Sequence, residues 1–202
     1  GINSVPVTVA VKYQIPVVFY AEHGESEYGG RVLSEEHRRT RDFTEIIENY
    51  VGDDARNWVD DVVSEKDLNA YVYPSPEQVA SVGVKAYYFA YFFRWSMYEN
   101  YQYIKDKIDF RTNQKGRTDC TFTNYDSLDD KIDNLYYYMQ FIKFGFGRAV
   151  RDASRLIQNG HMTREEGLDL ARKYDDEFCY EHFDEVLEYL DLTVDEFSKI
   201  VD

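Results

Sequence analysis

The stretch "FIKFGFGRAVRDASRLI", residues 141–157, decides how the second half of this chain is read. Its apolar residues keep helical spacing, yet two glycines, Gly145 and Gly147, stand inside it between Lys143 and Arg148. Each interior glycine costs a helix about 1 kcal/mol relative to alanine. Working outward, Leu128, Ile132, Leu135, Met139, Ile142, Phe146, Ala149, Ala153 and Leu156 alternate steps of four and three. That spacing predicts one long helix over about 127–157 with its apolar stripe facing inward. Ser127 and Asp130 offer a capping arrangement at its start, and Asn159-Gly160 a stop signal. On one continuous helix Lys143, Gly147, Arg151 and Arg155 are successive i, i+4 neighbours, so the missing side chain at Gly147 leaves a gap flanked by cations, fit for an anion. The other reading of the same glycines is close packing against a neighbouring element.

After this segment the pattern shortens. Thr163 with Glu166 forms a capping box for "REEGLDLARKYDD", "YEHFDEVLEYL" follows, and Thr193 with Glu196 caps "VDEFSKIVD". Before it, "DFRTNQKGRTDCTFTN" (109–124) is polar and aperiodic and reads as an ordered surface loop or lid. "VKAYYFAYFFRW" (84–95) reads as a buried strand from its aromatic content, strongest over 85–91, and "IPVVFYAEH" (15–23) as a short strand over 15–20. Between these strands, helices are expected at "FTEIIENYV" after Asp42, at "EKDLNAYV" after Ser64, and at "EQVASVG" after Ser75 with Pro76 at the first helical position. The fold class is therefore α/β and mainly helical.

The 202 residues carry a net charge of −15, with 44% hydrophobic and 17% aromatic residues. Such a chain supports a real core but repels nucleic acid and anionic membrane, so any anionic ligand needs a locally basic pocket. Cys120 and Cys179 lie far apart and form no CxxC pair, which points away from a disulfide framework or zinc site and toward a reducing, cytoplasmic setting. No apolar run approaches the roughly 20 residues of a membrane span, and the opening "GINSVPVTVAVKYQ" lacks the pattern of a secretory signal.

Two further clusters have chemical potential. "EHGESEYGG" follows the first strand, where ligands collect in α/β sheets, and its glycines can turn backbone N–H groups toward an oxyanion while Glu22, Glu25 and Glu27 can face Mg²⁺ or a sugar hydroxyl. "TNYDSLDDKID" (123–133) sets Asp129 and Asp133 one helical turn apart, beside Asp130 and Lys131. Carboxylates there also serve simply as helix-dipole partners.

"IPVVFYAEHGESEYGG", "FTNYDSLDDKID" and "FIKFGFGRAVRDASRLIQNGHMTREEGLDLARKYD", in this order and at these intervals, resemble the C-terminal half of the N-acetyl sugar amidotransferase family. Its members act in surface polysaccharide and lipopolysaccharide biosynthesis, including that of pseudaminic and legionaminic acids. The resemblance runs from about residue 12 to 197 and is strongest in 121–175. It implies a relation to PP-loop ATP pyrophosphatases: ATP with Mg²⁺ activates a sugar amide oxygen, and ammonia from a partner glutaminase then converts the acetamido group to acetamidino. It further implies that residues 1–100 are the remainder of an ATPase-like α/β domain and 101–202 a helical C-terminal region.

By the same resemblance Lys143 and Arg148 are catalytic. Glu22, Glu27, Tyr28, Gly29, Gly30, Tyr125, Asp129, Lys131, Gly145 and Gly147 bind substrate or nucleotide. The 24–30 loop is expected beside Lys143 and Arg148, with Arg148→Ala affecting activity while leaving folding almost unchanged. No metal ligand set is assigned, and neither nucleic acid nor membrane is expected as a partner. The oligomeric state is left open.

The sequence departs from the family pattern in three places. The SGGxDS phosphate loop does not occur, so these residues alone are expected not to turn over ATP; His23 replaces the usual asparagine; and Val150-Arg151 replace the common threonine or serine and acidic or small residue. A different class of function stands beside this one: a non-catalytic helical module that docks the glutaminase, which requires an exposed apolar patch in place of a basic pocket.

Overall fold

The computed structural model describes residues 1, 3–21, 35–41 and 53–201, in two compact units, Gly1–Trp95 and Ser96–Asp202.

In the first unit, helix α1 (Ser4–Tyr13) ends where Gln14 turns left-handed at φ 55°, and the chain enters strand β1 (Val17–Tyr20). A short helix α2 (Glu35–Arg39) runs into the two-residue strand β2 (Thr40–Arg41). Helix α3 (Pro76–Val82) has the expected start: Ser75 and Gln78 form a complete capping box, with Pro76 at its first turn and Gly83 closing it at φ 69°. Strand β3 (Lys85–Tyr88) is central in the order β1-β3-β2, parallel to β1 with Val17 opposite Lys85, and antiparallel to β2. Val7 and Ala10 of α1 and Tyr88 of β3 are buried.

Two expectations for this unit need correction. The strand predicted through 84–95 stops at Tyr88, because the chain coils into the one-turn helix α4 (Phe89–Phe92), leaving Phe89, Tyr91, Phe92, Phe93 and Trp95 exposed. Residues 65–71 form successive turns where a helix was predicted, since Asp67 accepts both the amide (3.0 Å) and the hydroxyl (2.6 Å) of Ser64 and holds a local turn. The helix predicted after Asp42 lies outside the described residues.

The second unit is helical. Helix α5 (Met97–Ile104) starts at Ser96, whose hydroxyl caps the Glu99 amide, and an irregular segment then reaches residue 132. Helix α6 (Asp133–Phe144) and helix α7 (Arg148–Gln158) replace the single helix predicted over 127–157. Ser127 sits at φ 50° and Asp130 caps a turn at Ile132, so helical pairing begins only at Asp133. At the far end Gly145 adopts φ 77°, a left-handed cap that donates to the Phe141 carbonyl at 2.7 Å and ends α6. Gly147 is extended and starts α7. The stripe is correspondingly divided: Leu135, Ala149 and Ala153 are buried, but Leu128, Ile132, Ile142 and Phe146 are exposed.

Helices α8 (Arg164–Tyr174), α9 (Phe183–Tyr189) and α10 (Val194–Val201) complete the unit. The Thr163–Glu166 and Thr193–Glu196 boxes are both formed, and α7 stops at Asn159-Gly160 as expected. α7 and α8 approach closely where Gly167 faces Ala153 and Ile157. The core gathers Cys120, Leu135, Cys179, Val186, Leu187 and Phe197, with Tyr138, Phe178 and Phe183 packed edge-on around it. No helix among the described residues is long and apolar enough to cross a membrane.

Candidate functional site

The glycine pair is explained by a carboxylate of the chain itself. Asp175, at the C-terminal end of α8, accepts the amides of Gly147 (2.7 Å) and Val150 (2.9 Å) and so caps the first turn of α7. An anion at a helix N-terminus satisfies orphan donors and opposes the dipole. A Cβ on Gly147 would stand 3.0 Å from the Asp175 carbonyl oxygen and 3.1 Å from its Oδ1, so the close approach needs glycine. The gap is thus a packing contact with an internal anion, and because the helix breaks there, Lys143 is not on one helical face with Arg151 and Arg155.

Once capped, α7 carries Arg148, Arg151, Asp152 and Arg155 against the segment 118–126. Arg148 is fully buried; its Nη1 donates to Asn134 Oδ1 (3.0 Å) and its Nη2 to the Asp126 carbonyl (2.5 Å). Arg151 donates to the Tyr137 hydroxyl and pairs with Asp126, and Arg155 Nη1 lies 3.8 Å from the same Asp126 Oδ2. Asp152 accepts the hydroxyls of Thr121 (2.7 Å) and Thr123 (2.9 Å) and faces Arg151 Nε at 3.7 Å and Arg148 Nε at 3.9 Å. Neither Nε has a hydrogen-bond partner among the described residues. Burial pushes the Asp152 carboxyl above its ordinary range against the pull of Arg151. Burial alone would lower Arg151, but Asp152 and Asp126 more than reverse it. Three guanidinium groups thus lie against the two carboxylates Asp126 and Asp152, with Asp133 also acting on Arg151.

The edge of this network opens into a small pocket lined by Ser96, Tyr98, Tyr125, Asp126, Arg155 and Asn159. Its enclosed space, about 20 Å³, suits one water molecule. Tyr125 stacks on Tyr101 with ring centroids 4.7 Å apart, and Tyr98 lies 4.9 Å from His161, whose Nε2 is 3.2 Å from Glu99. Burial first, then the nearby Asp152 and Asp126 carboxylates, push the Tyr125 hydroxyl up to about 12, so it is a hydrogen-bonding group at neutral pH.

Of the residues assigned from the sequence, Tyr125 lines this pocket and Arg148 lies in the buried network behind it. Lys143 is exposed at the end of α6, its Nζ 5.1 Å from the centroid of the Phe144 ring. Asp129 is exposed, and Lys131 pairs with Glu185 at 2.6 Å. Gly145 and Gly147 form the helix junction. Glu22, Glu27, Tyr28, Gly29 and Gly30 lie outside the described residues, as does the expected approach of the 24–30 loop to Lys143 and Arg148. Asp126, Tyr137, Asp152, Arg155 and Tyr98 were missing from that assignment; the i, i+4 spacing of Arg148 with Asp152 was a signal for one of these contacts. Among the described residues no group of three or more His, Cys, Asp or Glu side chains is arranged to hold a metal ion.

Residues 119–202 match the C-terminal domain of the LPS biosynthesis protein WbpG-like family. This WbpG-like segment agrees with the C-terminal part of the resemblance found in the sequence. It contains the whole α7 network and Tyr125, whereas Ser96 and Tyr98 come from the residues before it. No curated protein matches the chain.

Proposed function

We propose that this chain serves lipopolysaccharide biosynthesis as the C-terminal part of an ATP-dependent N-acetyl sugar amidotransferase, one that exchanges an acetamido oxygen for nitrogen supplied by a partner glutaminase. The observation that carries this reading is the WbpG-like match over 119–202, which includes the residues 121–175 in which the resemblance is strongest. The network supports a role as a rigid support: Asp126, Asp152, Arg148 and Arg151 fix α7 against its loop, and Tyr98, Tyr125 and Arg155 stand at the rim as hydroxyl and guanidinium groups suited to a sugar or its anionic carrier.

The α7 N-terminus and the pocket beside Tyr125 do not fit ATP. The helix N-terminus that offers amides already holds Asp175, and the pocket has room for a water molecule. No step of nucleotide chemistry is therefore assigned to them.

The test uses the full-length parent protein with the glutaminase, glutamine, ATP, Mg²⁺ and a nucleotide-linked N-acetyl sugar. Mass spectrometry is expected to show one amide oxygen replaced by nitrogen, with pyrophosphate released. Arg155→Ala is expected to raise KM or lower kcat while leaving the melting temperature within about 2 °C of the parent, as surface substitutions do. Intact sugar after prolonged incubation of active, folded protein with a panel of N-acetyl sugars overturns the reading.

The exposed Ile142, Phe144 and Phe146 at the α6–α7 junction favour a second reading, a docking module for the glutaminase. In that case Phe144→Glu abolishes co-purification with the glutaminase, while ammonia supplied directly restores the reaction.

A further inference from the structure

Both cysteines of the chain are free and buried, and they belong to one cluster in the core of the second unit. Cys120 arrives on the loop after Arg117 and Cys179 on the segment after α8. Two contacts bring these stretches together. The Cys120 amide donates to Glu177 Oε2 at 2.9 Å, and its Sγ lies 3.1 Å from the Glu177 carbonyl oxygen. Arg117 grips the same Glu177 carboxylate through a forked pair, at 2.7 and 2.5 Å. Both cysteines pack in this one buried cluster, and the contacts of Cys120 to Glu177 bring it to the stretch that carries Cys179; the influence of each thiol on the other favours the thiolate at Cys179 and, together with burial, the protonated thiol at Cys120.

The same two stretches hold α7. Thr121 and Thr123, just after Cys120, bind Asp152, and Asp175, just before Glu177, caps the helix at Gly147. A covalent link between Cys120 and Cys179 would fasten both arms around the arginine-rich helix.

We propose that Cys120 and Cys179 are a reversible disulfide site that locks the α7 framework when a small-molecule disulfide is the oxidant. Cys179 thiolate attacks one sulfur of the small disulfide, forming a mixed disulfide and releasing one small thiolate. Cys120 gives its proton to solvent, and its sulfur attacks Cys179 Sγ and displaces the second small thiolate. Two protein thiols are oxidised and one small disulfide is reduced to two thiols. Opening of the core exposes the sulfurs transiently, and reclosure places them side by side. The bridge restricts the unfolded chain more than the folded one, because the residues between 120 and 179 become a closed loop.

The experiment incubates the 202-residue chain with oxidised glutathione, then measures intact mass under non-reducing conditions and melting temperature before and after dithiothreitol. The expected result is loss of two hydrogen atoms in a monomer, a higher melting temperature, and return of both values on reduction. Cys120→Ala and Cys179→Ala, made separately, are expected to show neither change. Two unreacted thiols, glutathione adducts, disulfide-linked dimers, or a bridged monomer that melts at or below the reduced form each overturn the proposal.

Discussion

Gly147→Ala separates the two accounts of the glycine pair, because they predict opposite signs. Were residues 127–157 one helix, alanine would stabilise it by about 1 kcal/mol. In the observed junction the added Cβ stands 3.0 Å from the Asp175 carbonyl oxygen and 3.1 Å from Oδ1. The carbonyl has little freedom, since the Asp175 amide is itself bonded to Ala171 at 2.9 Å at the end of α8. The side chain must swing, giving up the Gly147 and Val150 amides. Loss of an N-cap costs about 0.5–2 kcal/mol, and a hydrogen bond to a charged group contributes about 1.5–3 kcal/mol. These values overlap because one carboxylate supplies both, so about 2–3 kcal/mol is the expected loss. Replacing glycine returns about 0.4–1 kcal/mol by restricting the unfolded chain. The net is a destabilisation of about 1–2.6 kcal/mol, or about 2–10 °C in melting temperature for a chain of this size. Urea denaturation of Gly147→Ala, Asp175→Ala and the double variant measures it, with a fall in midpoint at constant slope. The two changes share one interaction, so the double variant should be less destabilised than the sum of the singles by more than about 0.5 kcal/mol. A Gly147→Ala protein as stable as the parent, or strict additivity with Asp175→Ala, refutes the capping account.

Two other outcomes follow from the same network. Arg148→Ala is expected to destabilise the chain by about 3–5 kcal/mol, because it empties a fully buried site, leaves Asn134 and the Asp126 carbonyl without their donor, and removes one of the two guanidinium groups that face Asp152. This reverses the expectation that folding would barely change, and a thermal melt matching that of the exposed control Lys143→Ala would refute it. Glu177→Gln tests the partly exposed Arg117 pair, worth about 1 kcal/mol after allowance for solvent. The forked bond from Arg117 holds the Glu177 carboxyl below its ordinary value, so its stabilisation is present above the unfolded pKa and is lost as pH falls through the folded one. Urea midpoints taken across that acidic interval should converge for the parent and Glu177→Gln as pH falls; a gap that stays constant refutes the assignment.

What the sequence disclosed and what it withheld divide by the distance over which each feature is decided. Ser75–Gln78, Thr163–Glu166 and Thr193–Glu196 are settled within one turn, and all three boxes form where the residues stand. Strands at 17–20 and 85–88 were likewise readable from short β-branched and aromatic runs. The 3.6-residue stripe across 128–156 identified helical faces, but periodicity alone does not establish continuity. Two helices joined by Gly145-Phe146-Gly147 keep nearly the same spacing as one. The decisive group is Asp175, 28 residues away from Gly147 in sequence, and nothing local announces it. The burial of Arg148 was hidden for a related reason. Beside Lys143 in a string of letters it looks like a second exposed cation, yet Asn134 and the Asp126 carbonyl take it into the interior. Arg151 is likewise engaged by Asp126 and Tyr137, which leaves Arg155, at the pocket rim, as the α7 arginine best placed to meet an anionic group from outside. On the proposed function, an anionic group that meets α7 from outside is therefore expected at Arg155, two turns along the helix from Gly147.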